Sequence, residues 1–420
     1  MNLQPFLCFP PSLTAEISKR LHICAAALIL LFIISACGGG DGQENESRYF
    51  ENGQAVPTAS GTYWVLDLAG TWMEMGRQYG GLMGPELRRF HEELTTDLLE
   101  RGFPEQEMVT TWDAVQELYS WQLQDLLLGI SQTSGLSLEQ TLTLNFGMMY
   151  LAQAVLGGEP PAACSGIAVW DGYTEDGGLI FGRNWDISRE AMSRYMRYLA
   201  VAVFHPDQGY PFANIHPLGN VYLETGMNSQ GLFIELNNGE YSDPEYYEDR
   251  EDTTSILVRA LNQSANVEEA VDMLKNIPAD ISYILQIADE THAVSLERPT
   301  FDARVRQPDD NGLVIAYNSF VPPYPAHWEG RVNPPKPVEI DPRYENMLEL
   351  ARSPTYKGQF TPWSMQKYLE VPVEQGGAFH AGTVLQVVAV PADRTIWIRG
   401  CDYSDWEMVH LADYFYGSDQ

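Results

Sequence analysis

Downstream of residue 164 the hydrophobic positions fall in short runs bounded by turn residues, the spacing of β-strands. The runs cover 165–170, 178–183, 198–204, 220–224, 231–236, 281–288, 292–297, 312–317, 383–390 and 395–399. Helical periodicity interrupts them at roughly 253–264, 266–276, 341–352 and 362–370, and Asn266-Val267-Glu268-Glu269 reads as a capped helix start. Upstream the pattern is different. Tyr49 to Tyr63 is polar and predicts irregular chain, while Tyr63 to Leu68 suits a strand. Between Gly70 and Gly80 small residues are spaced as in a helix that packs closely on a neighbour. Leu87, Phe90, Leu94 and Leu98 share one stripe of a helix from Pro85 to about Phe103, with Pro85 in its first turn. A second helix is expected from Glu105 to Ile130, and Ser137-Leu138-Glu139-Gln140 is a capping box opening a third, to about Val155. A breaker-rich connector, Leu156 to Ala163, then ends directly before Cys164. Strands in groups, with helices between the groups, predict packed layers rather than regular βαβ repeats.

The first two downstream runs read as a hairpin. Ile167-Ala168-Val169-Trp170 and Leu179-Ile180-Phe181 flank the turn signal Asp176-Gly177-Gly178. A loop centred near Glu175 pairs position 164 with roughly position 186, returning Arg183 and Asp186 to the side of Cys164. A thiol beside a cation and a carboxylate is a candidate nucleophile, because the thiolate is the reactive form and positive charge favours it. Arg183 and Asp186 are three residues apart, however. A regular strand puts them on opposite faces, so both serve one site only where the strand ends or bulges.

Composition narrows the class. A chain of 420 residues with 45% hydrophobic and 11% aromatic residues can bury a large core. The net charge of −32 excludes the basic footprint of a nucleic-acid-binding protein. Scattered histidines, with no His-x-x-x-His or Cys-x-x-Cys spacing, give no metal site, and no cofactor is implied. At the N-terminus Lys19-Arg20 precede an apolar run, Ile23 to Ile34, too short for a comfortable span and followed by small residues. Ile34-Ser35-Ala36-Cys37 resembles the lipobox of bacterial lipoproteins. The resemblance implies a signal peptide over 1–36, lipidation of Cys37, a flexible tether over 37–48 and an exported chain held to a cell-envelope membrane by lipid alone. Of the five cysteines only Cys164 and Cys401 then remain in the exported body, free or joined in one disulfide.

Longer motifs extend the picture. Cys164-Ser165-Gly166, Gly182-Arg183-Asn184-Trp185-Asp186, Gly226-Met227-Asn228-Ser229-Gln230-Gly231-Leu232 and Tyr317-Asn318-Ser319 resemble the choloylglycine hydrolase and penicillin acyltransferase group of N-terminal-nucleophile hydrolases. Gly76/Gly80, Asp341-Pro342-Arg343-Tyr344 and Thr383 to Val388 agree with its propeptide-bearing acyltransferase branch. The resemblance implies an α+β fold, a four-layer αββα sandwich over 164–420, preceded by a mainly helical segment over 49–163. It implies self-cleavage between Ala163 and Cys164, which makes Cys164 a new N-terminus whose α-amino group serves its own thiol as base. Arg183 would stand beside the thiol, and Asp186 would hold the α-ammonium or Arg183. Asn228, through its side chain or backbone, and Asn318, through its amide NH₂, become candidates for the oxyanion hole, and Arg399 for a further basic residue. Gly166 stands where many acyltransferases carry another hydroxyl residue.

The implied activity is cleavage of a linear amide C–N bond in a small N-acyl amine or amino acid, with hydrolysis or acyl transfer as the outcome. Two rivals stand beside it. One is a cysteine peptidase pairing Cys164 with a histidine such as His380. The other is a ligand-binding lipoprotein without catalysis.

Overall fold

Strands begin where the polar pattern predicts irregular chain. The computed structural model describes residues 46–104, 116–155, 164–247 and 249–416. In it Arg48–Phe50 (β1) pairs with Gly53–Pro57 (β2), and β2 pairs with Trp64–Gly70 (β3). An edge strand needs hydrogen bonds on one side only and leaves its side chains in water, so it carries little hydrophobic signal. The lipobox with Cys37, the cleavage position Ala163 and the start of the expected second helix lie outside the described residues.

Three helices follow. Trp72–Glu100 (α1) opens on a capping box in which Thr71 and Glu74 satisfy each other's backbone N–H groups. It runs through Pro85 as one helix, so the two shorter helical segments expected on either side of Pro85 are continuous. Trp121–Ser134 (α2) crosses it closely. A Cβ on Gly76 or Gly80 would lie 2.3 Å and 2.4 Å from the α2 carbonyls of Leu126 and Ile130. Leu138–Val155 (α3) carries the expected Ser137/Gln140 capping box.

Beyond Cys164 come Ser165–Val169 (β4), Ile180–Asp186 (β5), the short helix Arg189–Met192 (α4), Leu199–Pro206 (β6), Phe212–Pro217 (β7), Thr225–Asn228 (β8) and Phe233–Asn238 (β9). Helices Thr253–Gln263 (α5) and Val267–Asn276 (α6) precede Tyr283–Ala288 (β10), Ala293–Arg298 (β11), Arg304–Arg306 (β12) and Leu313–Ala316 (β13). Arg343–Arg352 (α7) and Pro362–Leu369 (α8) precede Thr383–Val390 (β14), Thr395–Gly400 (β15), Glu407–His410 (β16) and the short Ala412–Phe415 (α9). Strands β7, β12 and β16 were not legible as separate runs, and the expected strand at 220–224 lies instead at 225–228.

Among the described residues the strands make two sheets. One has the order β1-β2-β3-β6-β7-β8-β9-β10-β11-β12, the other β13-β4-β5-β14-β15-β16. Strand β3 pairs in parallel with β6, from Trp64 opposite Ala200 to Gly70 opposite Pro206. The segment before Cys164 therefore supplies three strands to the same sheet as the downstream chain. The sheets pack face to face, with Phe181 of β5 and Phe233 of β9 4.6 Å apart between them. On the outer face of the smaller sheet Ile167, Val169 and Ile180 meet Met347, Met365 and Leu369 of α7 and α8. Helices α1, α5 and α6 pack on the larger sheet. The result is the four-layer α+β sandwich that the motifs implied. It brings the start of β4, the end of β5 and the N-terminus of α7 together.

Candidate active site

The hairpin forms, with a register one residue tighter than a symmetric loop gives. Ser165 pairs with Asn184 and Gly166 with Arg183. The connection is asymmetric because Asp171–Tyr173 makes a 3₁₀ turn whose buried Tyr173 donates its hydroxyl to Asp309 at 2.9 Å. Arg183 and Asp186 do lie on opposite faces of β5. Arg183 shares the inner face with Phe181, while Asp186 ends the strand opposite a bulge in β14 between Thr383 and Leu385. Cys164 sits where the two faces meet.

Cys164 is buried and free, as is Cys401, so the two form no disulfide. Its Sγ accepts the Asp186 N–H at 3.5 Å and lies 3.8 Å from the Asp186 carbonyl oxygen. Burial pushes the thiol up to about 12. Arg183 pulls it back, while the Asp186 and Glu224 carboxylates push in the same direction as burial. This thiol therefore needs a base close at hand to become a nucleophile. The Asp186 carboxylate is fully buried, and neither oxygen accepts a hydrogen bond among the described residues. His380 Nε2 lies 3.4 Å and Arg343 Nη1 4.0 Å from its Oδ2.

Arg183 does not reach toward open space. Its Nη1 donates to the Glu224 carbonyl and the Thr225 hydroxyl, Nη2 to the Leu236 carbonyl at 2.8 Å, and Nε faces Glu235 Oε2 at 3.4 Å. It clamps one sheet to the other and acts on the thiol through its field. Glu235, fully buried, accepts Asn237 Nδ2 at 2.8 Å. Burial pushes its carboxyl up to about 7 against the pull of Arg183 and Asn237. Gly166 explains how this group fits. A Cβ there would stand 2.0 Å from Glu235 Oε1 and 2.4 Å from Gln286 Oε1. Gly166 is thus the space that the buried carboxylate occupies.

Two expected site residues take different places. Asn228 Nδ2 donates to the carbonyls of Leu261 at 2.8 Å and Ser264 at 2.7 Å. Its Oδ1 accepts the backbone N–H groups of Gln230 and Leu232. Both amide hydrogens are spent on joining the turn after β8 to the end of α5, so the Asn228 side chain offers nothing to an oxyanion. Asn318 Nδ2 donates once, to the Asn238 carbonyl at 2.8 Å, and keeps a second hydrogen. Arg399 pairs with Glu370 at 3.0 Å and Gln386 at 3.2 Å, on the β15 side of the smaller sheet. His380 Nδ1 accepts the Gly382 N–H at 2.9 Å while Nε2 faces Asp186.

Arg343 is the residue that the site reading missed. It is buried at the start of α7 and donates to the Cys164 carbonyl at 3.2 Å and to Asn318 Oδ1 at 3.5 Å. Asp341 holds it in a two-pronged pair at 2.8 Å and 2.7 Å. Burial works against the charged form of Asp341, yet the Arg343 hydrogen bonds keep its carboxyl below the usual range. The signal was present in Asp341-Pro342-Arg343-Tyr344, a fixed carboxylate–guanidinium spacing, which was read as a mark of the acyltransferase branch and not as part of the site. Glu235 was likewise visible as one acid inside the apolar run Gly231 to Leu236.

Residues 173–369 match the family described as acyl-coenzyme A:6-aminopenicillanic acid acyl-transferase. The matched span starts after Cys164 and includes Arg183, Asp186, Glu235, Asn318 and Arg343. No curated protein sequence matches the chain. Among solved structures, the chain is similar to a Caenorhabditis elegans ortholog of N-acylethanolamine-hydrolyzing acid amidase, with 19% identity, 60% of this chain and 97% of that chain covered, and a TM-score of 0.40. It is also similar to a variant of conjugated bile acid hydrolase from Clostridium perfringens, with 15% identity, 59% and 92% coverage and a TM-score of 0.42. Penicillin V acylase from Agrobacterium tumefaciens follows with 13% identity, 59% and 86% coverage and a TM-score of 0.34.

Proposed function

From the match of residues 173–369 to the family described as acyl-coenzyme A:6-aminopenicillanic acid acyl-transferase, we propose an amidohydrolase or acyltransferase. It cleaves a linear amide C–N bond of a small N-acyl amine or N-acyl amino acid through Cys164. The active form arises by self-cleavage. Cys164 Sγ adds to the Ala163 carbonyl carbon, the Ala163–Cys164 C–N bond breaks, and the thiol proton passes to the departing nitrogen. Water then hydrolyses the thioester and leaves Cys164 with a free α-amine.

In turnover that α-amine, which ordinarily titrates near pH 8, takes the proton from Sγ. The sulfur adds to the substrate carbonyl, the amide C–N bond breaks, and the α-ammonium returns the proton to the leaving amine. Water resolves the thioester to an acid, or a second amine resolves it to a new amide. The remaining Asn318 amide hydrogen is the side-chain donor for the oxyanion, and Arg343 orients that amide. Arg183 lowers the cost of the thiolate from the inner face. Lipidated Cys37 would hold the enzyme to a membrane of the bacterial envelope.

The observation that carries this reading is the Asp186 carboxylate. A buried carboxylate needs a hydrogen-bond donor, and this one lies beside the thiol with His380 Nε2 at 3.4 Å and Arg343 Nη1 at 4.0 Å from Oδ2 but no hydrogen bond to either oxygen among the described residues. An α-ammonium on Cys164 would supply it. The test is a panel of N-acyl amines and N-acyl amino acids, with rapid denaturation and peptide mass analysis to catch the acyl group. The acyl mass is expected on the peptide that begins with Cys164. Amine release that persists in Cys164→Ala, or acyl mass on another residue, would sink the proposal.

A further inference from the structure

A second concave site lies at the far end of the larger sheet. It is a groove of about 720 Å³, within the range of small-molecule sites, roughly 300–1,000 Å³. The first turns of α1 and α2, the β6–β7 turn and the end of α5 line it. No residue described around Cys164 belongs to the groove.

We propose that this groove binds a neutral saccharide. Trp121 stands at its edge with 62% of its surface exposed, and Trp72 forms part of the wall. An exposed indole face is the surface on which the C–H face of a pyranose ring stacks. Around it are Gln122, Asp125, Asp207 and Gln263. Their planar amides and carboxylates present paired acceptors and donors suited to adjacent hydroxyls. The charges exclude an anionic ligand. No Lys or Arg is among the described lining residues, and two carboxylates repel a phosphate or sulfate. The N-terminal turns of α1 and α2 also lie here and offer N–H donors to hydroxyls.

The wall that carries Asp207 is fixed in advance. Asn262 Nδ2 donates to the carbonyls of Gln208 and Tyr210, both at 3.1 Å, and its own carbonyl accepts the Tyr210 N–H at 2.7 Å. Gly209 has φ +90°, and a Cβ there would sit 2.3 Å from Asn262 Nδ2, so the turn closes on the amide only as glycine. A turn pinned this way pays little ordering entropy when a ligand arrives.

The experiment titrates the full chain with cellotriose, chitotriose and maltotriose, following intrinsic tryptophan fluorescence and calorimetry. Spermine and inositol hexakisphosphate serve as the cationic and anionic probes. At least one trisaccharide is expected to bind saturably at low millimolar concentration or tighter. Trp121→Ala should weaken it tenfold or more, Asp125→Asn should weaken it measurably, and Trp121→Phe should retain part of the affinity. Cys164-dependent processing and Tm should stay unchanged in all three variants. The proposal is overturned if no trisaccharide binds, if only spermine or the polyphosphate binds, or if Trp121→Ala binds as tightly as the native chain.

Discussion

Gly166→Ala tests the packing of the site most sharply. The added methyl would lie 2.0 Å from Glu235 Oε1, 2.4 Å from Gln286 Oε1 and 2.5 Å from Glu235 Cδ, where ordinary contact begins at 3.4 Å. Something must move by more than 1 Å. Glu235 cannot retreat freely, since Asn237 holds Oε1 at 2.8 Å and Arg183 faces Oε2 at 3.4 Å. Gln286 is tied to the Val314 carbonyl at 2.7 Å. Overpacking costs about 1–3 kcal/mol when the neighbours yield. Driving the carboxylate away from a fully buried Arg183 leaves an uncompensated charge, at about 3–5 kcal/mol. The second outcome dominates because both residues are fully buried. A loss of about 3–5 kcal/mol at about 2 °C per kcal/mol for a chain of this size gives a Tm lower by roughly 6–10 °C. Differential scanning fluorimetry reads the Tm, and gel analysis of the two fragments reads processing, which should slow as Arg183 shifts relative to Cys164. A variant with native Tm and native processing would refute the idea that Gly166 exists to seat Glu235.

Three further outcomes follow. Glu235 is pushed up to about 7 in the fold from about 4.3 in an unfolded chain, so its protonation stabilises the fold. That contribution is fully present below about pH 4.3 and is lost as pH rises through about 7, about 3 kcal/mol of it between pH 4.5 and 8. The stability of the native chain relative to Glu235→Gln, from urea unfolding, should therefore fall by that amount between pH 4.5 and 8, and a pH-independent difference would contradict it. Arg343→Met should slow processing on the order of 10²-fold by releasing Asn318 and the Cys164 carbonyl. Arg343→Lys should recover stability more than rate, because one ammonium cannot replace the two-pronged guanidinium; equal rates in the two variants would count against this positioning role. After cleavage the two pieces should elute together in gel filtration and separate only in denaturant, since β3 pairs along its full length with β6; spontaneous separation would contradict the shared sheet.

What was legible in the sequence is uneven for physical reasons. The capped helices α3, α5 and α6 and the buried strands β10, β11 and β14 carry strong periodicity, because one face or both faces are apolar. Edge strands β1, β12 and β16 need no apolar face and left no such mark. Pro85 was read as a start because a proline removes an N–H. The helix continues through it, with its true start fixed four helical turns earlier by Thr71. In the site, Cys164, Arg183 and Asp186 were brought together by local pairing, which a hairpin pattern encodes. The contacts of Arg343, from 179 residues downstream, and of Glu235, from the opposite sheet, depend on tertiary packing that no short motif states. The engagement of the Asn228 side chain was hidden for the same reason. Its motif is good turn chemistry, and only the neighbouring α5 carbonyls reveal that the turn uses the whole side chain.

The central claim is that Cys164 becomes an N-terminus. Intact mass of the purified protein under denaturing conditions, beside Cys164→Ala, tests it most directly. The account predicts one species spanning 164–420 and another ending at Ala163 in the native protein, with the two still joined in the variant. A native chain that stays joined while cleaving amides at full rate would contradict it.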